Sequence, residues 1–152
     1  MADKTGLMID SAEVRLVRLP LIRPFTISTG TMHAKEFVLL TLRSGKLEGY
    51  GEGVMDPLPD YLEETNASGL MLLEQAILPQ LLGKRFSNPA AVEQTMTHWR
   101  GHRMTKAMVE MAFQDLWAKS LGLPLKTVLG GVRDAVDVGV SLGIGDVAET
   151  VE

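Results

Sequence analysis
The sequence predicts an α+β fold on three observations. Its first third holds three β-type runs, residues 9–19, 36–43 and 47–54, separated by prolines and a Ser44-Gly45 pair. Its middle changes to helical period, with start and stop signals at Asp60, Pro79 and Asn88-Pro89. A long helix then follows over residues 104–118, apolar on two opposite faces, as expected of a helix wedged between layers. Strands first and helices afterwards is the α+β order.

The first strand, 9–19, sets Val14, Leu16, Val17 and Leu19 among Arg15 and Arg18, and Pro20 and Pro24 are expected to end it. A loop rich in small and hydroxyl residues, PFTISTGTMH, follows. The second strand, EFVLLTLR, is apolar enough to be covered on both faces. Ser44-Gly45 turns the chain, and the third strand returns antiparallel to complete a meander. Gly49, Gly51 and Gly53 alternate along one side of that strand, where another backbone has room to approach closely.

Residues 55–59 form a stiff, proline-bearing loop. Asp60 and Glu63 have capping-box spacing, so a helix is expected from about Tyr61, with Leu70, Leu73, Ala76 and Ile77 on its apolar face. Pro79 breaks or re-aims it, and Gly83 closes it. Asn88-Pro89 is an N-cap and first-turn proline for a helix bearing Val92, Met96 and Trp99, which Gly101 ends. In the long helix Met104, Ala107, Met108, Met111, Ala112 and Ala118 share one face, and Val109, Phe113 and Trp117 the other. Asp115 interrupts the first face. With Lys119 one turn on, or backbone donors from a neighbouring unit, it reads as a structural acid rather than a catalytic one. Gly122 suits the left-handed stop, Pro124 opens a second short helix, and Gly130-Gly131 ends that.

Residues 136–144, VDVGVSLGI, read as a strand buried on both faces of a parallel sheet, with a helix from Asp146 to follow. A lone parallel strand has nothing to complete its hydrogen bonds. The expected organisation is therefore a first domain over 1–131 and, over 132–152, the truncated start of a second.

A formal charge of −4 argues against nucleic acid as a partner, and no apolar run nears the roughly 20 residues of a membrane span. The N-terminus, MADKTGLMID, lacks the apolar segment of a signal peptide. The absence of cysteine excludes disulfides, thiolate nucleophiles and cysteine metal sites, and the reading is a cytoplasmic protein. Neither GxGxxG nor GxxxxGK[ST] occurs. His98 and His102 are four apart, but Gly101 lies between them and no third ligand is near. Ser141 lacks the GxSxG context of a nucleophile, His33 has no triad-like setting, and Glu52 reads as a structural or solvated carboxylate. Residues and spacing alone disclose no activity. They single out two loops, residues 24–33 and 55–61.

The segments GHRMTKAMVEMAFQDLWAKSLGLPL, VLGGVRDAV and VGVSLGI closely resemble the enolase superfamily. The resemblance is nearest to its o-succinylbenzoate synthase and N-succinylamino acid (N-acylamino acid) racemase group. It runs from about Ile9 to the last residue, with GHRM-x-KA, E-x-A-x-x-DL-x-AK and GVSLGI in order. It implies an enolase-like N-terminal capping domain, a three-strand antiparallel meander followed by helices, and then the truncated start of a (β/α) barrel. It also implies Mg2+ in the full-length parent, where the metal stabilises an enolate formed by removing a proton α to a carboxylate. That step serves dehydration in menaquinone biosynthesis or racemisation of N-acylated amino acids. The family's catalytic lysines and metal carboxylates belong to later barrel strands, and none of this chain's lysines forms a Lys-x-Lys pair. The expectation is no catalytic residue and no bound metal on this chain, with inactivity in isolation.

What the resemblance carries over is substrate contact, through loops that close over the barrel mouth. Phe25, Ile27, Ser28 and Thr29 fall on the first loop, Met55, Asp56 and Tyr61 on or beside the second, and Ser141 in the first barrel strand. The competing reading of Phe25 and Tyr61 is that they are core residues. Relatives often carry an aromatic residue where this sequence has Thr29, which leaves substrate preference open. The implied partner is a small carboxylate substrate; separately, the uncovered edges and apolar faces of residues 136–144 lead to the expectation of dimers or larger species, a homo-oligomer. The alternatives are a dipeptide epimerase or muconate cycloisomerase-like parent, or a non-catalytic α+β binding or oligomerisation module.

Overall fold
Residues 6–145 are described by a computed structural model. The chain enters through β1 (Leu7–Met8) and builds the meander from β2 (Ser11–Ile27), β3 (Gly30–Ser44) and β4 (Leu47–Gly53), antiparallel in the order β2-β3-β4. The helical layer follows: α1 (Asn66–Leu72), a π turn (Leu73–Ile77) and α2 (Leu78–Leu81). β5 (Arg85–Phe86) pairs back on β1, and α3 (Pro89–Met96), α4 (Arg103–Leu121) and α5 (Leu125–Val128) complete the order. This is the α+β architecture the sequence predicts.

Both long strands overrun their predicted ends. β2 continues through Pro20 and Pro24 because it is an edge strand, where a missing N–H breaks no ladder bond. Its register slips between Pro20, opposite Ala34, and Phe25, opposite Met32, which places Pro24 in a bulge. Beyond the bulge, residues expected to form a loop are hairpin instead: Thr26 pairs Thr31 and Ile27 pairs Gly30 around a Ser28-Thr29 turn. The β3–β4 turn is Gly45-Lys46, one residue later than expected. Gly45 takes φ 58°, the conformation the first position of a type II′ turn requires.

The first helix also starts later than expected. Thr65, not Asp60, is the cap, with the Thr65 hydroxyl accepting from Ser68 N–H and the Ser68 hydroxyl accepting from Thr65 N–H. Residues 57–63 are all exposed and offer no face to bury, so no helix forms there. Pro79 is expected to break or re-aim the helix; helix continues through it to Leu81, and just before it the Leu78 N–H bonds the carbonyl of Leu73, five residues back, in a π turn. Asn88 caps α3 through Ala91 N–H at 3.0 Å, but α3 ends at Met96, leaving Trp99 in the following loop.

α4 is the packing centre. A Cβ on Gly51 would overlap the carbonyl oxygen of Met108, and one on Gly49 that of Ala112, so the alternating glycines of β4 let the helix backbone lie on the sheet. On the helix's other side Phe113 meets Phe86 edge-on at 6.0 Å and lies parallel to Trp117 at 6.2 Å. The wedge predicted for this helix is present, although Met111 and Ala107 remain exposed. Asp115 has the structural role expected of it. It accepts Tyr50 N–H, an edge donor of β4, at 2.9 Å and Lys119 Nζ at 2.7 Å. Gly122 stops the helix at φ 65°.

The strand expected over residues 136–144 is not formed. Residues 131–145 contain no helix or strand, and Val136, Val138, Val140 and Leu142 are exposed. The reason is the one that makes any single strand unstable: among the described residues no neighbouring strand pairs with it. Ile144 N–H reaches back to the meander, donating to Thr26 O at 2.7 Å. The helix expected from Asp146 lies outside the described residues.

Candidate substrate-capping cleft
Two segments face each other across a cleft of about 690 Å³. One wall is the β2–β3 hairpin, with Phe25, Ile27, Thr29, Met32 and His33. The other is the loop after β4, with Asp56, Leu58, Asp60 and Tyr61. The volume suits a small molecule, and the apolar walls with a few polar groups are of the kind that hold one. The hairpin tip is pinned by a Thr26–Thr31 hydroxyl contact at 2.9 Å, and its base is tied to the opposite loop by Lys35 Nζ to Asp56 Oδ1 at 2.9 Å. Arg18 pairs with Glu36 at 3.2 Å on the same side. Both pairs are partly exposed and contribute position more than stability.

Of the residues singled out by sequence, Phe25, Ile27, Thr29, Asp56 and Tyr61 line this cleft, and Tyr61 is 76% exposed rather than a core residue. Ser28 sits at the hairpin turn, exposed but off the lining. Met55 is a correction: it is fully buried, its side chain filling the space beside Gly53 and Gly69. The chain just past β4 alternates, with Val54 exposed, Met55 in the core and Asp56 at the cleft. Ser141 lies in the exposed segment and not at the cleft, although Gly143 two residues on comes against the Phe25 ring. Sequence reasoning missed Lys35, His33 and Leu58. Leu58, an apolar residue between two prolines, carried a usable signal; the Lys35–Asp56 pair joins distant segments and carried none.

The strongest electrostatic network is elsewhere, at the opposite end of β3. The Arg43 guanidinium, and then that of Arg15, holds the Glu13 carboxyl below the usual carboxylate range. The Tyr50 hydroxyl, and then Arg43, does the same to Glu48, and Glu48 in turn raises the Tyr50 phenol. This ladder braces the sheet. Glu52 is exposed, and His98 stands beside Trp99 in a loop, apart from His102 at the start of α4. Among the described residues no three His, Asp or Glu side chains converge as metal ligands, so these residues do not fit the implied magnesium. No helix among them is long and apolar enough to cross a membrane.

Residues 11–130 match the model of the mandelate racemase / muconate lactonizing enzyme N-terminal domain. The chain belongs to this family. It is 52% identical over 136 residues to an N-succinylamino acid racemase of Thermus thermophilus, covering 90% of this chain and 37% of that protein. It is 34% identical over 134 residues to an o-succinylbenzoate synthase of Listeria innocua, covering 88% of this chain and 36% of that one. The solved muconate lactonizing enzyme of Pseudomonas fluorescens, complexed with muconolactone, superposes with a TM-score of 0.87. That match has 34% identity, over 96% of this chain and 40% of that chain. These relationships place the chain in the enolase superfamily, with the meander and helices of its capping domain. The chain spans well under half the length of the curated relatives it matches.

Proposed function
We propose that this chain is the substrate-capping part of a magnesium-dependent o-succinylbenzoate synthase or N-acylamino acid racemase. In that reading the reaction removes a proton α to a carboxylate and passes through an enolate, and the substrate is a small carboxylate. The observation that carries the proposal is the cleft: the hairpin tip and the loop after β4 face each other with Phe25, Ile27, Thr29, Asp56 and Tyr61 between them. The 52% identity to a racemase named for N-succinylamino acids supports this substrate class over muconates or dipeptides. Magnesium finds no ligand set among the described residues, so their part is to bind and orient the substrate and to exclude water.

A chimera tests this. The chain replaces the corresponding N-terminal segment of the Thermus thermophilus racemase, and α-proton exchange of N-succinyl amino acids is followed in deuterated water. The expected result is magnesium-dependent exchange by the chimera and none by the 152-residue chain alone. In the chimera Tyr61→Ala and Phe25→Ala raise KM or lower kcat with little change in melting temperature. A folded chimera without exchange, or variants that melt early with unaltered kinetics, would count against the capping role.

A further inference from the structure
α4 begins without a cap of its own. Its N-cap residue, His102, sits in the left-handed region at φ 49° and makes no side-chain cap bond, and the first turn carries no acid. The missing acceptor comes from forty residues upstream. The Glu64 carboxylate, 7% exposed, accepts from Met104 N–H at 2.9 Å, Thr105 N–H at 2.8 Å and the Thr105 hydroxyl at 2.5 Å. It meets two orphan donors of the helix and opposes the positive end of the helix dipole. Thr105 is fully buried, so without Glu64 its N–H and hydroxyl have no solvent to turn to.

Glu64 is also one foot of an arch. Asp56 and Thr65 are bridged, with Asn66 N–H donating to Asp56 O at 3.0 Å, and between these closed ends residues 57–63 stand out exposed. The arch carries Leu58 and Tyr61 into the cleft. Its near foot is held by buried Met55 and by the Lys35–Asp56 pair, which is one-third exposed. Its far foot is held by Glu64, the one buried carboxylate among the described residues.

We propose that Glu64 is a positioning residue of the cleft, its carboxylate clamping the arch to the N-terminus of α4 and so fixing Leu58 and Tyr61 opposite the hairpin. The helix that seats on the glycines of β4 thereby becomes the reference frame for the exposed wall of the site. The inference rests on the capping role proposed above only for its functional meaning; the clamp itself is tested without substrate.

The chain has no cysteine, so Leu58→Cys and Ser120→Cys give one pair of spin labels per chain, one on the arch and one toward the C-terminal end of α4, and an excess of unlabelled chain removes distances between copies. Their distance distribution is measured by double electron–electron resonance, beside amide hydrogen exchange at Met104, Thr105 and Asn66. With Glu64 intact one narrow distance is expected. Glu64→Ala broadens it and speeds exchange at all three amides by about tenfold or more, the scale of a lost hydrogen bond to a charged group. Glu64→Gln, which keeps an acceptor oxygen and the volume, gives an intermediate result, and Thr105→Val a smaller one. Faster exchange at Met104 and Thr105 with an unchanged distance distribution and an unchanged Asn66 would reduce Glu64 to a helix cap and overturn the proposal. Should Glu64→Ala fail to fold, Glu64→Gln and Thr105→Val carry the same comparison.

Discussion
Gly51 has no room for a methyl group, because the Met108 carbonyl oxygen occupies the place a Cβ would take. Gly51→Ala must lift α4 off the sheet, and about 3 kcal/mol of destabilisation is expected in urea denaturation. The same change at Gly53, where only the flexible Met108 and Met55 side chains are close, is expected to cost less. Equal effects would show that the helix adjusts freely. Glu13 and Glu48 make a second residue-scale statement. Their folded pKa values are lowered, so their contribution is present above the unfolded glutamate value, about 4.3, and is lost as pH falls through the folded values. Tyr50 is raised and behaves oppositely: its contribution is present below about 10 and is lost as pH rises through its folded value. Arg43 pairs with both acids, so Arg43→Met is expected to flatten the acid limb of a stability profile taken between about pH 6 and pH 3. Because the groups are partly exposed the effect shrinks in salt. A variant with an unchanged acid limb would place the proton-linked instability elsewhere.

Helix boundaries in this chain are decided by which segment has something to bury. Asp60 and Glu63 have the right spacing for a cap, yet the segment they open is exposed throughout; Thr65 and Ser68 cap the segment that buries Leu72, Leu73 and Ile77. Thr65→Ala is therefore expected to cost about 1 kcal/mol, and Asp60→Ala less than about 0.5 kcal/mol, by chemical denaturation. The reverse order would restore the earlier helix start. β2 illustrates the same principle for strands. Its prolines are tolerated at a free edge and in a bulge, and with Arg15, Arg18 and Arg23 they make that edge a poor template for another chain.

Across the whole molecule, apolar exposure concentrates from the last residue of α4 onward. Leu121, Leu123, Leu129, Val132, Val136, Val138, Val140, Leu142 and Ile144 are all exposed, and Met111 earlier on α4 joins them. At roughly 25 cal/mol per Å² of apolar surface, covering this segment with a second copy recovers several kcal/mol. Dimers or larger species are expected for the chain in sedimentation velocity, reverting toward monomer when residues 132–152 are deleted. A monodisperse full chain with residues 136–144 protected from exchange would instead mean that the segment finds its own cover.

What the sequence by itself determined is what depends on local period and local chemistry. The three-strand meander, the Asn88-Pro89 start, the Gly122 stop and the close approach over Gly49, Gly51 and Gly53 are all written in spacing. The two segments that form the cleft were legible too, through their prolines and through family resemblance, although the first is a hairpin and not a loop. What only the tertiary structure decided is whatever rests on contacts between segments far apart in the chain. The hairpin beyond Pro24 exists because β3 is there to pair with it, and Met55 is a core residue because Gly53 and Gly69 leave it space. Residues 136–144 are strand-like in composition, but a strand is a property of a pair, and the partner is missing from the described residues. Glu64 shows the limit most plainly: nothing in its neighbourhood marks it, and its role appears only once folding brings it to the uncapped end of a helix forty residues away.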